Sequence, residues 1–159
     1  MHGSLDADDR TELGIGTQDP RAVVTELEEI LPTLPAQTRD GLRALLAAYQ
    51  DTELAASESR PVVLHGDFHF GNLVLDQPTG VVTGVWDFSC VEYGNPASDL
   101  RYLLRDRAGL GELIADCYAE LSGRVLDVRG ARLVGALEDV TDALAENRPI
   151  DPVLRSAGF

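Results

Sequence analysis

Between residues 61 and 88 the apolar spacing of this chain changes character. Val62-Val63-Leu64 is a short continuous apolar run, Leu73-Val74-Leu75 is a second, and Val81-Val82-Thr83-Gly84-Val85-Trp86 is a third. Short β-branched runs predict strands, and the turn Asp76-Gln77-Pro78-Thr79-Gly80 joins the last two into a hairpin. Between the first two runs lies the polar stretch His65-Gly66-Asp67-Phe68-His69-Phe70-Gly71-Asn72, and Asp87-Phe88 follows the third. Two aspartates and an asparagine are therefore carried on short loops beside strand ends.

On either side the period is helical. Asp19-Pro20 is an N-cap followed by a first-turn proline; Val23, Val24, Leu27, Ile30 and Leu31 then recur at helical spacing until Pro32. Further helices are predicted over 37–54, with Leu42, Leu45, Leu46 and Tyr49 on one face, and over 97–106. Another is predicted over 110–121, with Leu110, Leu113, Ile114, Cys117, Tyr118 and Leu121 in register, ended by Ser122-Gly123. A last helix over 129–146 turns Leu133, Val134, Leu137, Val140 and Leu144 inward. Cys117 is thereby assigned to the core. Trp86, Phe88 and Tyr93 are expected to pack around the hairpin. Pro149 and Pro152 should break the pattern before a short C-terminal tail. Residues 1–18, Gly14-Ile15-Gly16 included, read as a flexible segment, and 19–159 as one domain. The fold class is mainly α with a small β-hairpin (α+β).

Composition narrows the function. A formal net charge of -14 over 159 residues disfavours a nucleic-acid partner. No apolar run approaches the roughly 20 residues of a membrane span, and the acidic N-terminus does not read as a signal peptide. Two cysteines, Cys90 and Cys117, make no disulfide framework, so a reduced cytoplasmic setting is expected. All 13 basic residues other than His are Arg. Chemistry that needs a lysine, such as clamping nucleotide phosphates, cannot run on this polypeptide alone.

Phosphoryl transfer asks a protein for positioning and charge neutralisation: a carboxylate to take a hydroxyl proton, and hard oxygens to bind Mg²⁺. Asp67 and Asn72 have the spacing of the base and metal ligand in a protein-kinase catalytic loop. Three ordered stretches carry a wider likeness: His65–Asp76, then Gly84-Val85-Trp86-Asp87-Phe88, then Gly94-Asn95-Pro96-Ala97-Ser98-Asp99-Leu100. Together they resemble the aminoglycoside phosphotransferase family, which includes choline-kinase-like enzymes, over roughly residues 36–146.

That resemblance implies a protein-kinase-like C-terminal lobe lacking the N-terminal nucleotide-binding lobe. It makes Asp67 the catalytic base, Asn72 and Asp87 the Mg²⁺ ligands, and His65 a support for the loop. Asp99 would cap or brace the helix after Pro96, and His69 would line the substrate side. Phe70 stands where proline is usual and Trp86 where an aliphatic residue is commoner. The Gly-rich loop and strand lysine have no counterpart, so ATP is not expected to bind the isolated chain. The implied protein acts on a small molecule, with a separate lobe-bearing partner or a second copy; the apolar top of the hairpin is the expected dimer contact.

Rival readings use the same residues. The chain could be a pseudokinase-like binding or scaffold module. It could also be a repurposed biosynthetic enzyme running metal-free acid–base chemistry (elimination, cyclisation or isomerisation) on Asp67, His69 and Asp87. His65, Asp67 and His69 alternate in a pattern that zinc could use. Cys90 lacks an identifiable activating base for a nucleophile.

Overall fold

A computed structural model describes residues 12, 14–17, 19–52, 54, 61–106 and 109–159. Most of the segment predicted to be flexible, 1–18, lies outside the described residues. The chain divides into two compact units, Met1–Gln18 with Arg60–Leu126 and Asp19–Ser59 with Asp127–Phe159.

The second unit is helical. Its helices are α1 (Pro20–Ile30), α2 (Ala36–Gln50), α5 (Val128–Ala145) and α6 (Asp151–Ser156). Asp19 caps α1 by accepting the Arg21 N–H at 3.0 Å, and Pro20 occupies the first turn, where a missing N–H costs nothing. Val24 and Leu27 of α1, Leu42, Leu45, Leu46 and Tyr49 of α2, and Leu133, Val134, Leu137 and Val140 of α5 form the buried core. These are positions that helical spacing places on one face of each element. Asp127 joins two segments of this unit: Oδ1 accepts the Gly130 N–H at 2.7 Å, capping α5, and Oδ2 accepts the Leu54 N–H at 3.0 Å. The C-terminal residues form α6 rather than an irregular tail. Pro152 sits in its first turn, where proline starts a helix, and Thr38 donates its hydroxyl to Asp151 at 2.7 Å.

The first unit holds the strands. β1 (Gly16–Thr17), β2 (Val62–Leu64) and β5 (Glu92–Gly94) form a three-stranded sheet in the order β1-β5-β2. β2 and β5 are antiparallel, with Val63 opposite Tyr93, and β1 runs parallel to β5. Gly16 is therefore strand, not loose chain. β3 (Leu73–Leu75) and β4 (Val82–Val85) form the separate predicted hairpin, with Leu73 opposite Val85 and an irregularity after Val74.

The helix expected over 97–106 is two pieces, a 3₁₀ turn at Pro96–Leu100 and a short helix α3 (Leu103–Asp106). α4 follows at Leu110–Ser122 and ends on Gly123, whose φ of 71° suits glycine. The face α4 buries is made of Gly111 and Ala115. A side chain on Gly111 would collide with Leu104, so close approach replaces large apolar contact. Cys117 is consequently exposed, not core, and Leu121 is 90% exposed. Tyr93 is buried in the three-stranded sheet, whereas Trp86 and Phe88 remain open to solvent at 56% and 60%.

Candidate functional site

The stretch after β2 is tied down backbone first. His65 and Gly66 donate their N–H groups to the two oxygens of Asp99, each at 3.0 Å. Asp99 does not cap its own 3₁₀ turn; Asn95 does, accepting the Ala97 N–H at 3.0 Å. From below, the buried Arg101 donates one guanidinium N–H to the Gly66 carbonyl and another to the Ser98 carbonyl at 2.9 Å. Gly66 has φ of 80°, and any Cβ there would strike the Cys90 carbonyl. Sequence reading passed over Arg101; its signal is an arginine set inside the apolar series Leu100, Leu103, Leu104.

His65 is 7% exposed and links two loops. Its Nδ1 accepts the Asp67 N–H at 3.3 Å, so the ring proton sits on Nε2, which donates to the Trp86 carbonyl at 2.9 Å. Phe88 packs on the same ring at 4.8 Å between centroids. With both nitrogens engaged, His65 has no lone pair for zinc, and among the described residues no group of three His, Cys, Asp or Glu is placed to hold a metal.

Asp67 is half-buried. Its Oδ2 accepts from the Asn72 amide at 3.2 Å and faces His69 Nε2 at 3.5 Å. His69 Nδ1 accepts the Gly71 N–H at 2.9 Å, which leaves the Nε2 proton aimed at Asp67. Asn72 is buried, and its amide nitrogen also donates to the Asp67 carbonyl at 2.8 Å. Both donors are thus spent on Asp67, and the amide oxygen Oδ1 is left as an acceptor.

The Asn72 carbonyl accepts the Trp86 N–H at 3.0 Å, which brings Asp87 beside it in the fold. Trp86 in turn donates its indole N–H to the Gly71 carbonyl at 3.0 Å. Asp87 has φ of 58°, a left-handed conformation that aspartate tolerates better than most residues. Its Oδ1 accepts the Ser89 hydroxyl at 2.7 Å and the Ser89 N–H at 3.4 Å. These two Ser89 bonds, the hydroxyl first, hold the Asp87 carboxyl below the usual carboxylate range. Asp87 therefore stays ionised. Asn72 and Asp87 offer hard oxygens only, the donor set that suits Mg²⁺.

Residues 4–134 match the model of the phosphotransferase enzyme family (APH), and the chain belongs to that family. Its fold is similar to that of aminoglycoside 2'-phosphotransferase-IIIa in its GDP complex: TM-score 0.73, 21% identity, covering 97% of this chain and 56% of that one. It is also similar to macrolide 2'-phosphotransferase type I (TM-score 0.61, 19% identity, 97% and 52% covered). The macrolide 2'-phosphotransferase MphH from Brachybacterium faecium aligns at TM-score 0.61 and 21% identity, with 96% and 52% covered. The chain thus spans about half the length of the solved structures it matches, as a kinase-like C-lobe. No curated protein matches it.

Proposed function

We propose that this chain carries the base-and-metal half of a small-molecule phosphotransferase site. The observation that carries the reading is the Asn72 side chain. Its two amide donors go to Asp67, its oxygen is left over, and its backbone carbonyl holds the strand that delivers Asp87.

In this reading Asp67 takes the proton of an acceptor hydroxyl while that oxygen attacks phosphorus and the bond to the donor's leaving oxygen breaks. Asn72 and His69 occupy Asp67 Oδ2 and leave Oδ1 to accept the proton. Asn72 Oδ1 and Asp87 would hold Mg²⁺, which supplies neutralisation of phosphate charge when bound. His65 and Asp99 keep the two loops in register. The acceptor is a hydroxylated small molecule. The phosphate donor's nucleotide is bound by a lobe from outside these 159 residues, since no lysine is present here.

Mn²⁺ titration followed by paramagnetic broadening tests the metal half. Signals of Asn72 and Asp87 should broaden first, and Asn72→Ala should abolish the effect. With a nucleotide-binding lobe supplied in trans, Asp67→Asn should keep the metal but lose transfer to a hydroxylated acceptor by about 10²–10⁴-fold. Broadening spread evenly over the acidic surface would overturn the reading. The absence of lysine favours a second reading, a binding module that keeps the pocket without transfer. In that case Asp67→Asn changes ligand affinity and no activity exists to lose.

A further inference from the structure

Behind His65, within the first unit, lies an apolar cavity of about 340 Å³. Val63 and Leu64 of β2, Leu100 of the 3₁₀ turn and Ile114 of α4 form its aliphatic walls; Phe68 and Phe88 supply rings. The volume falls within the roughly 300–1,000 Å³ of small-molecule pockets, and an apolar space of only about 150 Å³ can hold benzene. Asp67, Asn72 and Asp87 are not among its lining residues.

Asp99, His65 and the Tyr118 phenol are the polar groups of the wall. Asp99 is the one acidic residue there, and its two oxygens are turned to the N–H groups of His65 and Gly66. The nitrogens of His65 are committed to Asp67 and Trp86. An anion would meet the Asp99 charge, and a cation would have to leave water for a carboxylate whose two oxygens each already accept one backbone N–H. A flat ring meets instead the edges and faces of four aromatic rings, those of His65, Phe68, Phe88 and Tyr118, with His65 lying 5.8 Å from Phe68 and 4.8 Å from Phe88.

We propose that this cavity binds a small uncharged aromatic molecule and that its occupancy orders the Asp87–Cys90 segment. The coupling is direct: Phe88 is a wall of the cavity and is 60% exposed, so a ligand covers its open face. Phe88 follows Asp87, whose left-handed backbone sets where both side chains point. Val85, also in the wall, precedes Trp86, whose carbonyl receives the His65 proton. The inference does not rest on phosphoryl transfer.

The test uses 1-naphthylmethanol as probe, with 1-naphthylmethylamine as the cation on the same ring. Methyl NMR should show saturable shifts at Val63, Leu100 and Ile114, and hydrogen exchange at Ser89 and Cys90 should slow. The amine should bind at least tenfold more weakly. Ile114→Phe, at a half-buried position, fills the space and should weaken the alcohol at least tenfold while the protein still melts cooperatively. If that variant does not fold, Val63→Phe fills the cavity from β2. Shifts confined to the exposed hairpin valines, equal binding of amine and alcohol, unsaturable binding, unchanged exchange at Ser89, or unchanged affinity in a folded filling variant would each overturn the proposal.

Discussion

A methyl group added at Gly66 would run into the Cys90 carbonyl, on a backbone whose φ of 80° already disfavours any side chain. Gly66→Ala should therefore lower stability by about 2–4 kcal/mol, read from the midpoint of urea unfolding. The effect combines strain with loosening of the Asp99 and Arg101 contacts on the two sides of this residue, its N–H and its carbonyl. Tyr49 behaves in the opposite sense. Its hydroxyl is buried with no hydrogen-bond partner among the described residues, so Tyr49→Phe should be neutral or stabilising by up to about 1 kcal/mol. Burial first, then the charges of Asp127 and Asp19, push its ionisation from 10.0 up to about 12. The folded state holds this proton more tightly than the unfolded chain. Its contribution is thus fully present below pH 10 and is lost as pH rises through about 12. Urea titrations across that window should show a loss in the parent protein that Tyr49→Phe removes.

At the scale of elements, the hairpin presents a surface that no described residue covers: Val74, Leu75, Val81, Val82 and Trp86 are all exposed. An apolar ladder on a two-stranded sheet should self-associate at high concentration. Light scattering should show mass rising with concentration, and Val82→Asp should return the protein to a monomer. The hairpin was legible because β-branched runs flanking a Pro/Gly turn are a local signal. So were α1, α2 and α5, whose apolar residues recur at helical spacing over several turns. β1 and β5 were not legible. They are two and three residues long, rich in glycine, and exist because of pairing between Thr17 and Tyr93 and between Val63 and Tyr93, distant in sequence. The helix over 97–106 failed for a related reason: Asp99 is drawn to the His65 and Gly66 N–H groups, and the segment tightens into a 3₁₀ turn instead. Cys117 misled because α4 carries apolar residues around more than one face, and its buried contact is made by small ones. That Asp67 and Asn72 share one loop was legible from spacing; the hydrogen bonds between them, which divide their oxygens into held and free, were not.

For the whole molecule, 27 acidic residues against 13 basic ones leave a formal charge of -14. Self-repulsion of that size opposes the compact state, and salt relieves it because the Debye length falls from about 30 Å at 0.01 M to about 3 Å at 1 M. The melting temperature should rise as NaCl is raised across that range, measured by calorimetry at constant pH; a flat or falling curve would show that paired charges dominate. Among the described residues no helix is long and apolar enough to cross a membrane. The chain holds a single tryptophan, Trp86. Its indole is hydrogen-bonded to the Gly71 carbonyl, its own carbonyl receives the His65 proton, its N–H reaches Asn72, and Asp87 comes next. The protein therefore carries a native fluorophore at the junction of both loops. Its emission wavelength and quenching by iodide will report, without labelling and without background from any other indole, whatever settles on this face of the fold.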